Sequence, residues 1–182
     1  DVAIIKNVNA DAIIAVYPFT PQPSITQAII SVSEVPVFVG VGGGMTNGDR
    51  SVRLAEFSEH QGASGVVVNA PISNETIAKM KAVVDIPVVT TIVSGDMDIA
   101  GRLAAGADIL NVSGASRTPE IVTKIRAEFP TVPIIATGGP REEDILRTIE
   151  AGANAITYTP PTTGQLFADI MISHRKNFSH QD

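Results

Sequence analysis

The side chains of this chain best suited to hold a small oxygen-rich ligand fall where short apolar runs stop. Thr137 closes the run 134–137, and Gly138 and Gly139 then free the backbone for a tight turn whose N–H groups can face an anion at the start of a helix. Pro140 suits the first helical position, and Glu142, Glu143 and Asp144 complement the positive end of that helix's dipole. Other apolar runs end in the same kind of group: Asn69, then Thr91 with Ser94, Asn111 with Ser113 and Ser116, and Thr157 with Tyr158 and Thr159. Tyr17, Phe19 and Thr20 follow the first run, and Gly42, Gly43, Gly44, Thr46 and Asn47 follow the second. Hydroxyl, amide and backbone groups of this kind orient a ligand by hydrogen bonding.

Acids, bases and nucleophiles are scarce at those positions. Asp96 and Asp98, after Ser94-Gly95, are the carboxylates nearest a strand end, and Asp96 is the candidate catalytic residue. The competing assignment makes Ser94 or Asp96 an ordinary helix N-cap. The lysines, Lys6, Lys79, Lys81, Lys124 and Lys176, all fall in predicted helices, so no Schiff-base lysine stands at a strand end. His60 lies near a helix end and His174 and His180 in the last helix and tail, where a surface role outweighs that of a general base. Arg117 and Arg141 stand at helix starts, able either to close over a phosphate or to remain solvated charges. No HExxH or comparable ligand spacing occurs, so no metal and no cofactor are expected. The glycine-rich loop 40–50 (GVGGGMTNGDR) is a second candidate site, its alternative being a flexible connector with Asp49 capping the next helix.

The elements that must position these groups follow from a repeat in how strands begin. Gly62-Ala63, Gly106-Ala107 and Gly152-Ala153 precede strands 66–69, 109–111 and 155–157, and Asn9-Ala10-Asp11 before 12–16 is a weaker copy. Pro36, Pro87 and Pro133 precede strands 37–39, 88–91 and 134–137, at a position where a missing N–H is tolerated. The two kinds alternate strictly along the chain, and helical patterns lie between them at 25–33, 49–61, 74–84, 96–105, 119–129, 141–151 and 165–176. Strands apolar at nearly every position, as when both faces are covered, point to a parallel α/β fold with right-handed crossovers. The alternation lacks a proline-type strand before its first member, and restoring it completes a (β/α)8 TIM barrel. Residues 2–8 are then the last turns of a first helix, with strand 1 missing, because too few residues separate them from 12–16 for a parallel crossover. The rival reading makes 2–5 that strand.

A length of 182 residues with 44% hydrophobic residues and no low-complexity tract predicts one globular domain, 1–182. Thirteen basic against nineteen acidic residues, a net charge of -6, with no basic stripe, argue against nucleic acid as a partner. The absence of cysteine excludes disulfide and thiol chemistry. The apolar runs are strand-sized, far short of the roughly 18 residues of a membrane span. With no secretory leader visible, a cytoplasmic location is expected.

In its layout, and in Thr137-Gly138-Gly139 followed by Ala151-Gly152-Ala153, the chain resembles the phosphate-binding (β/α)8-barrel superfamily. That group includes sugar-phosphate epimerases, small aldolases, thiamin-phosphate synthase and the glycerol-uptake antiterminator regulators. The resemblance implies an anionic or phosphorylated ligand gripped by Gly138, Gly139 and Thr159, with Asn69, Thr91, Asn111, Ser113, Thr137 and Thr157 orienting it. One departure is Pro160-Pro161 after Thr159, where relatives carry small residues with free N–H groups; the hydroxyls of Thr159, Thr162 and Thr163 at the start of the last helix would take their place. By resemblance the activity is that of an isomerase or lyase. The alternative is a non-catalytic ligand sensor similar to the antiterminator regulators, favoured by the lack of a visible acid, base or nucleophile. A homo-oligomer formed through outer helices is compatible with either.

Overall fold

A computed structural model describes residues 2–178, with side chains to 176; His180 lies outside the described residues. The elements run α1 (Val2–Asn7), β1 (Ile13–Ala15), α2 (Pro23–Val32), β2 (Val37–Gly42), α3 (Asp49–His60), β3 (Gly65–Val68), α4 (Asn74–Lys81) and β4 (Val88–Ile92). They continue through α5 (Ile99–Ala104), β5 (Ile109–Val112), a 3-10 turn (Ala115–Arg117), α6 (Thr118–Glu128), β6 (Ile134–Thr137), α7 (Glu142–Glu150), β7 (Ala155–Thr157) and α8 (Thr163–Phe178). All seven strands lie in one parallel sheet in chain order, β1 to β7. The sheet curls until residues of β1 and β7 line a common cavity of about 370 Å³, but these two strands do not pair. The chain thus carries seven of the eight strands of a TIM barrel, which is the expected truncated (β/α)8 fold.

The N-terminal residues settle as a helix and not as a strand. Val8 N–H donates to the Ile4 carbonyl at 2.8 Å, extending the helical bonding of α1, and Ile5 packs on the core under β1 and β2. A strand there would have needed a crossover that the short link to β1 cannot supply. The later helix starts shift for local reasons. Asp98, and neither Ser94 nor Asp96, caps α5, its carboxylate accepting from Gly101 N–H at 2.9 Å. Ser73 does the same for α4 through Thr76 N–H.

The two kinds of strand start interlock at the amino ends of the strands. Asp108, which follows Gly106-Ala107, accepts from Val88 N–H and from Lys81 Nζ, both at 2.8 Å. Asn154, which follows Gly152-Ala153, accepts from Ile134 N–H at 2.9 Å and from the Arg126 guanidinium at 3.0 Å. After two of the three Gly-Ala turns the next side chain therefore ties down the start of the proline-type strand beside it, while after Gly62-Ala63 the link is the Ser64 N–H donating to the Val37 carbonyl at 2.8 Å. Arg126 also donates to the carbonyls of Pro130, Val132 and Gly152. This end of the barrel is a stability device, as carbonyls left without partners would be costly.

Two apolar clusters separate the sheet from its helices, one under β1 to β4 and one under β5 and β6. Every residue of β3 and β4 is buried. On β5 and β6 burial alternates, and β7 has no buried residue. The expectation that the strands are covered on both faces thus holds for the middle of the sheet only. No helix among the described residues is long and apolar enough to cross a membrane.

Candidate functional site

Because parallel strands all point one way, their carboxyl ends deliver side chains to the same face. A cavity of about 570 Å³ opens there, within the range of small-molecule sites. Its floor is polar. Asn69 follows β3, Thr91 stands on β4, Asn111 on β5 with Ser113 just beyond, Thr137 on β6, and Thr157 on β7 with Thr159 beyond, and all seven line the cavity. Two pairs among them are linked: Asn111 Nδ2 donates to Thr91 Oγ1 and Thr137 Oγ1 to Ser113 Oγ, each at 3.3 Å. These long bonds leave capacity for a ligand, since a hydroxyl or carboxamide has more than one bonding site.

The loops hold this floor in place. Asn69 N–H donates to the Gly42 carbonyl at 2.9 Å, and the Asn69 carbonyl accepts from Ile72 N–H at 3.1 Å. Gly43 adopts φ +95°, and a Cβ on it would lie 2.5 Å from the Asn69 nitrogen, so only glycine lets the two backbones cross. Arg102 on α5, just 9% exposed, reaches under the same segment to donate to the carbonyls of Ala70 (2.8 Å) and Ile72. Burial lowers its pKa from the usual arginine range, and the charge of Asp98 partly opposes that. On the other side, Ala115 takes a left-handed φ of +53° two residues after Ser113, held by Thr118 Oγ1, which donates to its carbonyl at 2.9 Å and accepts from Gly114 N–H at 3.0 Å.

The glycine turn after β6 is placed differently. Thr137 reaches the cavity, but Gly138 and Gly139 are not among its lining residues. Gly138 N–H is already spent on the Thr157 carbonyl at 3.2 Å. A Cβ on Gly138 would strike Ile156 and Ile145, so its lack of a side chain serves packing. Gly139, at φ +81°, faces the side chain of Asp144, which Arg141 holds through two bonds of 3.0 Å and keeps ionised to lower pH than usual. Asp96 lies outside the cavity wall, its largely exposed carboxylate 3.2 Å from Lys124 Nζ. Arg117 and Arg141 are exposed and also stand off the wall.

Across from these groups the wall is mostly apolar, with Gln22, Thr26 and Thr46 interspersed, and of its apolar members the strand ends mark Tyr17 and Phe19. Ile14, Val16, Tyr17, Pro18 and Phe19 from β1 and its loop, Ile25 and Ile29 from α2, and Met45 from the glycine loop form this side. The Tyr17 and Phe19 rings stack with centroids 5.2 Å apart and planes 18° from parallel. The signal was the run Tyr17-Pro18-Phe19-Thr20-Pro21, aromatics held on a stiff loop. Among the residues lining the cavity none is Asp, Glu, Lys, Arg or His; the ionisable ones are Tyr17 and Tyr158. Among the described residues no group of three or more His, Cys, Asp or Glu is placed to hold a metal.

No family model and no curated protein matches the sequence. Solved structures do match the fold. A 2,3-dimethylmalate lyase of the PEP mutase/isocitrate lyase superfamily superposes with a TM-score of 0.69 at 15% identity, covering 96% of this chain and 77% of its own. An aldolase designated QR15 gives 0.68 at 16% identity over 85% of this chain and 80% of its own. The 4-hydroxy-tetrahydrodipicolinate synthase of Methylacidiphilum fumariolicum SolV gives 0.68 at 14% identity over 87% of this chain and 60% of its own. Against eight of the structures it matches, this chain spans from 51% to 80% of their lengths. At these identities the likeness is one of fold, a TIM barrel.

Proposed function

We propose that this barrel is the substrate-binding body of a lyase-type enzyme acting on a small, oxygen-rich metabolite at the carboxyl ends of its strands. The observation that carries the reading is the convergence of Asn69, Thr91, Asn111, Ser113, Thr137 and Thr157 on one cavity of about 570 Å³. Hydroxyl and amide groups fixed on strand ends can hold a carbonyl or carboxylate in one orientation and donate to the oxygen where charge develops as a bond breaks. The anionic ligand expected from the sequence is then gripped by the hydroxyls of Thr137, Thr157 and Thr159 more than by glycine N–H groups, a grip suited to a carboxylate. Proton transfer in this reading runs through a phenol at the rim, Tyr17 or Tyr158. The lyase and aldolase neighbours add the weight of analogy, which fold alone confers.

A second reading, a ligand sensor without catalysis, draws on one observation: the cavity wall contains no carboxylate, imidazole, ammonium or guanidinium side chain. One experiment separates the two. The protein is incubated with a panel of 2-hydroxy and 2-oxo carboxylic acids, and release of an aldehyde or oxo-acid fragment is followed beside binding in the same samples. Turnover that falls at least tenfold in Asn111→Ala supports the lyase. Saturable binding with no product in any sample replaces it with the sensor.

A further inference from the structure

We infer that the ligand of this cavity is amphipathic, an uncharged or singly charged oxygen-rich head joined to an apolar tail. The inference rests on the reading of the cavity as a metabolite site and narrows the class of ligand. Head and tail have separate seats. The head belongs on the arc of Thr91, Asn111, Ser113 and Thr137, whose 3.3 Å mutual bonds can be exchanged for bonds to a ligand. The tail belongs against Phe19 and Met45.

What sets those two side chains apart from the other exposed apolar residues, such as Phe57, Phe167 and Ile170, is that they stand on the cavity wall. Met45 is 89% exposed and Phe19 44%, although both line a concave cavity whose deeper wall is made of Ile14, Ile25 and Ile29. Apolar surface concentrated at the rim of a cavity and continuous with its interior is the mark of a groove that receives an apolar group. The offset Tyr17–Phe19 stack presents a flat face, which suits a planar or short aliphatic tail. Charge bears on the head as well. The described residues put no cationic side chain on the cavity wall, so a dianion seated among them would lose its hydration without a counter-charge from them.

Titrations of the protein with matched probes, followed by ligand-observed NMR, test this. Glycerol is compared with 3-phenoxypropane-1,2-diol, pyruvate with 4-phenyl-2-oxobutanoate, and glycerol 1-phosphate with glycerol. Each phenyl compound is expected to bind about tenfold or more tighter than its parent. The phosphate should add nothing. Phe19→Ser and Met45→Ser, at exposed positions where folding is not at stake, should each remove most of the phenyl gain, whereas Phe57→Ser, on an exposed face of α3, should leave it intact. Equal binding of parent and phenyl compound, a phenyl gain that survives in the Phe19→Ser/Met45→Ser double variant, or tightest binding by glycerol 1-phosphate overturns the amphipathic ligand while the metabolite site stands. Failure of every probe to bind, or binding indifferent to Asn111→Ala and Thr137→Val, removes the site itself and the inference with it.

Discussion

Two glycine pairs stand after strands in this barrel, and they do different work. Gly138-Gly139, after β6, carries every sequence sign of an anion turn: a strand before it, a proline and an acidic first turn after it. In the fold its first N–H is bonded to β7, its missing Cβ makes room for Ile145 and Ile156, and Asp144 sits over the second glycine. Gly42-Gly43, at the end of β2, lies in the loop that the sequence offers as a second candidate site or else a flexible connector; Gly42 lines the cavity and Gly43 is crossed by the backbone of Asn69. Similar composition thus hides a packing role in one turn and a cavity-lining role in the other. What separates them is which backbone runs alongside, and that is a long-range property.

Substitutions can break this comparison. Gly43→Ala should have the largest effect: strain at φ +95° and a clash with main-chain atoms that cannot swing aside should cost about 3 kcal/mol, read as a lowered Tm, and ligand binding should fail with it. Arg102→Met should come next, at about 2 kcal/mol, because it orphans the Ala70 and Ile72 carbonyls, and it should weaken ligand binding by freeing the segment that carries Asn69. Gly138→Ala should cost about 1 kcal/mol in denaturant unfolding, since its new Cβ meets only the side chains of Ile145 and Ile156, and should change ligand affinity less than twofold. Greater loss of binding in Gly138→Ala than in Gly43→Ala would invert the comparison. Asp96→Asn should leave both Tm and ligand affinity unchanged, as befits an exposed ion pair away from the cavity wall.

Much of the architecture was legible because it is locally encoded. The Gly-Ala and proline strand starts marked six strands and the weaker Asn9-Ala10-Asp11 copy the seventh, and the bonds of Asp108 and Asn154 show at two of these places how one kind of start holds the other. Strand direction then brought Asn69, Thr91, Asn111, Ser113, Thr137, Thr157 and Thr159 to one cavity, as a parallel sheet must. Asp96 illustrates the limit. It stands close to a strand end in sequence, but α5 begins only after Asp98, and the intervening turn carries Asp96 out to Lys124.

By itself the sequence determined the parallel barrel layout and the polar ends of its strands, since both rest on periodicity and on residues adjacent in the chain. Only the tertiary structure decided which glycine turn lines the cavity, that Arg102 holds the Asn69 segment, and that a mostly apolar side of the cavity faces the polar strand ends. Those depend on the curl of the sheet, which sets residues far apart in the chain against each other and leaves no trace in local spacing.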